Sequence, residues 1–383
     1  LHIRNLNFLI FKQLYTKMYQ ELLSAGCIKE GNFTLKNGDS SKYYFDIKSI
    51  ISTPCLLAKI GDELYQKLPP FDIICAIPYG GLPIATYIST KYNKPMIYIR
   101  DKIKDYGTQK LIEGHYKKED KCVIIDDVLT TGGSIEKCEE LIKDKVTIVD
   151  KAVVINRSNK NNITYLISMN DIIKDKLRTI KEQKKSNLCF SADLEEGDKI
   201  IEILDKIGKY IVVCKIHYDI IKDNNNFIKK LIDASIRHNF LIMEDRKFVD
   251  ISYIVEKQYQ EFSSWVDLVT VHGSVTSETI SNLKGVLLVA NMSNNDYDFS
   301  EKCIQLATSN PNNVVGFISQ RKIKCSDLVT MTPGISLTSK VVDDQKYRLH
   351  KGIDTDFIIV GRAIYNAENP EEIIAQNFMT NIC

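Results

Sequence analysis

The sequence predicts an α/β protein in two parts: a mainly parallel sheet flanked by helices, followed by a compact (β/α)8 TIM barrel. Three observations carry this expectation. Short apolar runs alternate with helical stretches along all 383 residues, a length that allows two cores. The run from Cys122 to Ile125 ends in Asp126-Asp127 and a Thr/Gly turn, the layout of a ligand loop at the carboxyl end of a strand. In the second half eight apolar runs follow one another, with polar residues gathered at their carboxyl ends.

Composition narrows the class of partner. Lys and Arg number 51 against 49 Asp and Glu, a net charge of +2, which gives no basis for a nucleic-acid or membrane surface as the main partner. Small molecules are expected instead. The ten cysteines are scattered, with no Cys-x-x-Cys pair and no His cluster at ligand spacing. That is reduced, intracellular usage; it points to the cytoplasm and to no metal held directly by side chains. No apolar run approaches the length of a membrane span, and Leu1 to Ile10 reads as a helix start or ragged end rather than a signal peptide.

Taken in order, Leu14, Met18, Leu22 and Leu23 recur at helical spacing and predict a helix closed by Gly26. Phe33 to Gly38 reads as a strand and turn, and Ser41 to Ile47 as a second strand. Runs at Ile73–Ile77, Met96–Ile99, Cys122–Ile125 and Val146–Ile155 then supply the sheet, with a helix over Ile135–Lys143. Between strand and helix, Gly132 and Gly133 let the backbone approach a ligand and present amide hydrogens. The hydroxyls of Thr130, Thr131 and Ser134 add donors, which makes an anion nest at a helix N-terminus. Asp126 and Asp127 cannot bind phosphate; they suit ribose hydroxyls, or the water of a Mg²⁺ ion carried by a sugar phosphate.

This stretch resembles the phosphoribosyl-pyrophosphate motif of type I phosphoribosyltransferases. Leu35 to Gly38, Tyr44 to Asp46, Ile77 to Pro83 and Lys104 to Thr108 are similar to segments of orotate phosphoribosyltransferase. The resemblance implies that Lys36, Tyr44 and Phe45 border orotate, that Arg157 binds its carboxylate, and that the turn at Tyr79 faces pyrophosphate. It also implies that Asp126, Asp127 and the loop from Thr130 to Ser134 hold the sugar phosphate, with Mg²⁺ as cofactor. The segment from Arg100 to Tyr106 would be a mobile loop reaching a neighbouring subunit, in which Arg100, Lys102, Tyr106 and the catalytic Lys104 meet the departing pyrophosphate. Two positions depart from the family pattern: Asp101 stands where a lysine is usual, and Asn156 where an aspartate is usual.

Residues 1–173 are thus expected to form the transferase domain and residues 174–186, polar and basic, a surface helix running into a linker. Residues 187–383 form the barrel, with strands beginning at Asn187, Tyr210, Asn239, Val266, Gly285, Val314, Leu328 and Phe357. The third run ends in Asp245-x-Lys247-x-x-Asp250. In an extended strand residues two apart share a face, so Asp245 and Lys247 point the same way, and a lysine beside carboxylates stays protonated. Such a group can protonate a carbon that becomes negative.

The second half resembles orotidine 5′-phosphate decarboxylase, and the order of the halves is that of the bifunctional UMP synthases. The resemblance implies Lys247 as proton donor, Asp245 facing the substrate carboxylate, Lys215 completing the charged network, and Asp250 crossing a homodimer interface to the partner's ribose. It further implies Ser191, Asp193, His217 and Ser293 at the pyrimidine and ribose, with Pro333 and Gly361 lining the site. Gln345, Tyr347 and Arg362 would take the phosphate. Asn291 replaces a glutamate often found there, and Lys346 to His350 differ from the family's phosphate loop. No cofactor is implied for this half. The expected function is the conversion of orotate and phosphoribosyl pyrophosphate to orotidine 5′-phosphate and then to UMP and CO2. The rival is a phosphoribosyl-pyrophosphate-sensing regulator with a non-catalytic barrel.

Overall fold

In the computed structural model the described residues are 18–34, 40–100, 111–158, 162–222, 226–294, 296–337, 340–342, 345–350 and 352–379. Two compact units form: Leu1–Lys29 with Tyr44–Ile172, and Glu30–Tyr43 with Ile173–Cys383.

In the first unit, residues 18–24 are helical, Met18 and Leu22 are buried, and Gly26 closes the helix at φ +70°. The first strand, β1 (Ile28–Thr34), starts earlier than the sequence suggested; it pairs with β2 (Ser40–Phe45). A six-stranded sheet follows, made of β3 (Ile73–Ala76), β4 (Met96–Ile99), β5 (Ile112–Glu113), β6 (Lys121–Leu129), β7 (Thr147–Asn156) and β8 (Thr164–Ser168). Its order is β5-β4-β3-β6-β7-β8, and β5 alone runs antiparallel to its neighbour. Helices α1 (Pro54–Lys67), α2 (Gly81–Tyr92) and α3 (Gly133–Ile142) cross between strands. Covered on both faces, β3 and the middle of β6 read as unbroken apolar runs. The short β5 and the half-polar β8 carry no such signal.

The second unit holds a closed barrel of eight parallel strands: β9 (Leu188–Ser191), β10 (Val213–Ile216), β11 (Leu241–Phe248), β12 (Leu268–His272), β13 (Val286–Val289), β14 (Val314–Ile318), β15 (Val329–Thr332) and β19 (Phe357–Val360). All eight predicted strands are present. A small sheet of β16 (Ile335–Ser336), β17 (Lys340–Val342) and β18 (Gln345–Leu349) is inserted before the last. Alternate strand residues serve two cores. Cys189, Val213, Leu241, Leu268 and Leu287 pack inside the barrel, while Phe190, Cys214, Ile242 and Val269 pack outward against the helices.

The segment expected to be a linker is the second part of a helix, α4 (Met169–Lys184). Ile173, Leu177 and Ile180 are buried in the same cluster as the inner barrel residues, so this helix closes the barrel floor. Its basic residues have partners there. Lys184 donates to the carbonyls of Gly208, Ile211 and His238 at 2.6–2.9 Å, Lys181 to that of Asp356, and Arg178 pairs with Asp327. High polarity was read as linker character, but these charges answer the exposed carbonyls and carboxylates at the foot of the strands.

Residues 30–43 of the hairpin group with this unit. Lys42, 1% exposed, lies 2.8 Å from Asp267 and donates also to the Phe240 carbonyl; Tyr43 and the Ile242 amide complete the shell of Asp267 at 2.8 Å. Burial opposes both charges. Pairing with Lys42 nevertheless holds the Asp267 carboxyl below its ordinary range, so the acid stays ionised. Lys42→Met removes the counter-charge from an enclosed carboxylate. The expected loss is about 3 kcal/mol, read as a lower urea midpoint at constant m-value; an unchanged midpoint would show that the pair contributes nothing.

Candidate active sites

The first site is built where β6 meets α3. Asp126 and Asp127 lie in the last part of β6, ahead of Val128 and Leu129, and the Val128 amide donates to Asp127 at 2.9 Å. Gly132 takes φ +95°, a left-handed turn that brings α3 in with the exposed residues Thr130, Thr131, Gly133 and Ser134 around its N-terminus. A Cβ on Gly133 would meet nothing nearer than Thr131 Oγ1 at 3.9 Å, so the cradle stands open. Opposite it, a Cβ on Gly80 would lie 2.1 Å from the Asp127 carboxyl carbon and one on Gly81 2.2 Å from the Ile125 carbonyl oxygen. Only glycine lets this turn, with Tyr79 69% exposed, sit against the acidic strand end. Burial and the adjacent Asp127 raise the Asp126 acid.

Beside this cradle the Arg157 guanidinium lies over the Phe45 ring at 5.6 Å, and Tyr44 is half-exposed. Asn156 is buried and accepts from the amide and hydroxyl of Ser158. Arg100 pairs with Glu113 at 3.0 Å. Lys36, Lys102, Lys104 and Tyr106 lie outside the described residues.

The second site is a cleft of about 240 Å³ at the carboxyl ends of the barrel strands. It gathers Ser191, Asp193, Lys215, His217, Asp245, Lys247, Ser293, Pro333, Tyr347, Gly361 and Arg362 along one lining. Gln345 is described in its backbone alone. Asp250 does not line the cleft; it is exposed on the turn before the helix Ser252–Gln260.

At the centre Asp245 Oδ2 is 2.8 Å from Lys215 Nζ and 2.9 Å from Lys247 Nζ, and Thr270 donates to Oδ1 at 2.8 Å. Lys215 also reaches Asp193 at 3.1 Å and His217 Nε2 at 3.0 Å, and Ser191 donates to Asp193. Burial disfavours the ionised form of Asp245, but Lys215 and Lys247 outweigh it and hold the carboxyl far below the usual range. The same carboxylates raise Lys215 against its own burial. His217 is lowered by burial and by Lys215, and stays neutral near pH 7.

Asp245 and Lys247 meet, though not by the plain alternation expected of a strand. The register of β11 against β12 shifts between Glu244 and Phe248, and Lys247 stands at φ +51°, a conformation that costs a non-glycine residue. The bulge turns the Lys247 side chain back onto Asp245. Thr270, which sequence reasoning missed, holds this geometry: it bonds Asp245 and accepts from the Lys247 amide at 2.9 Å. Its signal was a hydroxyl in the otherwise apolar run Leu268–Val271. Thr270→Val keeps the shape but strips both bonds, and is expected to cost about 2 kcal/mol by denaturant unfolding; no loss would mean the bulge holds itself.

Two sequence families match this chain. The Phosphoribosyl transferase domain covers residues 49–182, and the Orotidine 5'-phosphate decarboxylase / HUMPS family covers residues 186–376. The chain is 30% identical to Uridine 5'-monophosphate synthase of Bos taurus, over 92% of this chain and 93% of that protein. It is 26% identical to the Caenorhabditis elegans protein of the same name, over 93% of each. Its second half is 37% identical to Orotidine 5'-phosphate decarboxylase of Saccharomycopsis fibuligera, over 50% of this chain and 84% of that one.

Proposed function

The chain belongs to the uridine 5′-monophosphate synthase family, and on that premise we propose how its two sites divide the work. It is a bifunctional enzyme, a phosphoribosyltransferase and a carboxy-lyase, performing the last two steps of UMP synthesis. Orotate and phosphoribosyl pyrophosphate give orotidine 5′-phosphate and pyrophosphate; loss of CO2 then gives UMP. Residues 1–173 carry the first step and residues 187–383 the second, with residues 174–186 closing the barrel floor.

In the transferase, the amides and hydroxyls from Thr130 to Ser134 take the sugar's phosphate, Asp126 and Asp127 its ribose hydroxyls, and the Tyr79 turn the pyrophosphate. Arg157, stacked on Phe45, takes the orotate carboxylate, with Tyr44 and Lys36 at the ring. Arg100, Lys102, Lys104 and Tyr106 meet the leaving group. Among the described residues no cluster of three or more His, Cys, Asp or Glu could hold a metal. Two adjacent carboxylates fit a Mg²⁺ ion bound mainly through substrate phosphates, which would screen the charge of the departing pyrophosphate.

In the decarboxylase, the substrate's carboxylate lies beside Asp245. As its bond to the pyrimidine breaks, CO2 leaves and the electron pair stays on the ring carbon, where Lys247 delivers a proton that solvent later replaces. Lys215 keeps Asp245 ionised and in place. Ser191, Asp193, His217 and Ser293 orient the nucleoside; Gln345, Tyr347 and Arg362 hold the phosphate, with Pro333 and Gly361 shaping the wall. This half calls for no cofactor. The observation that carries the reading is the convergence of Lys215, Asp245 and Lys247 on one point of one cleft. An intact charged network of this kind has no use in a sensor with a silent barrel.

Asp250 is exposed and flanked by Val249, Ile251 and Tyr253, each more than 60% exposed. Such an apolar strip beside a catalytic cleft suits a second copy of the chain, and the decarboxylase is proposed to work as a homodimer in which Asp250 reaches the partner's ribose. No helix among the described residues is long and apolar enough to cross a membrane, and the cysteines described are free; both suit work in the cytoplasm.

Purified protein given carboxyl-labelled orotate, phosphoribosyl pyrophosphate and Mg²⁺ is expected to release labelled CO2 in step with UMP. Lys247→Ala should abolish CO2 release while orotidine 5′-phosphate accumulates; loss of both activities in a folded variant would refute independent sites. Asp127→Asn should do the reverse, blocking orotate consumption while added orotidine 5′-phosphate is still decarboxylated. Unchanged orotate turnover in that variant would sink the assignment of the cradle.

A further inference from the structure

Glu244 precedes Asp245 on β11 but does not line the cleft. Its carboxyl is fully enclosed, at 0% exposure. The Tyr218 amide donates to Oε2 at 3.0 Å, and Oε1 is enclosed without a hydrogen-bond partner. Among the described residues it forms no ion pair. A bare carboxylate with one hydrogen bond costs more in such a place than a neutral carboxylic acid does.

The groups around it agree. Burial, and then the carboxylates of Asp219 and Asp245, push the Glu244 acid up to about 8 against the Tyr218 amide and Lys215. Asp219 is itself paired with Arg246, and the Tyr218 ring packs edge-on to Phe262 and Trp265 with Glu261 near its hydroxyl. The turn carrying Tyr218 begins directly after His217, which touches Lys215 at 3.0 Å. The Tyr218 amide bond to Glu244 thus ties the segment that delivers His217 to the strand that carries Asp245, beside the Asp219–Arg246 pair and the packing of the Tyr218 ring.

We propose that Glu244 is a positioning residue of the decarboxylase, its enclosed carboxyl pinning the Tyr218 amide so that His217 stays against Lys215. This rests on the decarboxylase reading of the cleft. Ionising Glu244 puts a second enclosed negative charge beside Asp245 and upsets the charge balance that holds Lys215 and His217 in place.

The test is kcat for orotidine 5′-phosphate supplied directly, from pH 6 to 10, for the wild type, Glu244→Gln and Glu244→Ala. The wild-type kcat should fall above pH 8, and the glutamine variant should lack that limb. Below pH 8, Glu244→Ala should lose on the order of tenfold or more in kcat with little change in KM, and glutamine should rescue it. Thermal melting gives a reading that needs no turnover. An acid raised above its ordinary value near 4.5 contributes stability that is complete below that value and is lost as pH rises through about 8. Between pH 5 and 9 the wild type should therefore lose more melting temperature than the glutamine variant. Superimposable kcat profiles in an active enzyme, or superimposable melting profiles, would overturn the role of Glu244 alone. A wild type that releases no CO2 would overturn the decarboxylase reading, and this role with it.

Discussion

An ionised carboxylate at the mouth of the barrel is the constraint around which the second unit is arranged. Asp245 is 9% exposed, and in that position a free charge would protonate rather than persist. Two ammonium groups and one hydroxyl keep it ionised. Around it Asp193 and Asp245 balance Lys215 and Lys247, so the four charges sum to zero before substrate arrives. A substrate carboxylate then enters as the odd charge. At an effective dielectric of about 20, unit charges ~4 Å apart repel by ~4 kcal/mol, worth roughly three decades of rate if relieved only in the transition state. That is too little for a difficult bond cleavage by itself. On the proposed reading the phosphate lies at the Tyr347 and Arg362 side of the cleft and has to hold the nucleotide against this repulsion, which makes remote binding part of the chemistry.

The transferase cradle uses different means to a related end. Its proposed anion site is made of backbone amides and short hydroxyls at the start of α3, while the carboxylates proposed for the sugar stand back along β6. Glycines decide the shape, because Gly80 and Gly81 allow one turn to lie directly against the acidic strand end. Both sites sit where parallel strands end, the place where loops are free to vary while the sheet holds them still.

How far the sequence could be read follows from what each element depends on. The eight barrel strands were legible because burial on both faces leaves mostly apolar residues, and the polar residues toward their ends stood out against that background. The bulge in β11 was not, since Glu-Asp-Arg-Lys fits a regular strand as well as a distorted one; the shift is imposed by pairing with β12. The floor helix was expected on the surface, running into a linker, because its lysines were counted as solvated. Ile173, Leu177 and Ile180 at helical spacing were the better guide. The attachment of Lys42 to Asp267 left no local trace, for the two are 225 residues apart and each sits in an ordinary strand context.

That separation sets a timetable for the growing chain. Residues 30–43 leave the ribosome long before Asp267 is made, so Lys42 spends most of synthesis as a hydrated cation with no place to go. The barrel can begin to form from its own consecutive strand and helix repeats, whose contacts are local, but its floor must admit a segment synthesised near the start. Completion of the barrel therefore waits on a closure of more than half the chain. Cutting the gene at the seam between the two sequence families would leave that segment with the wrong fragment.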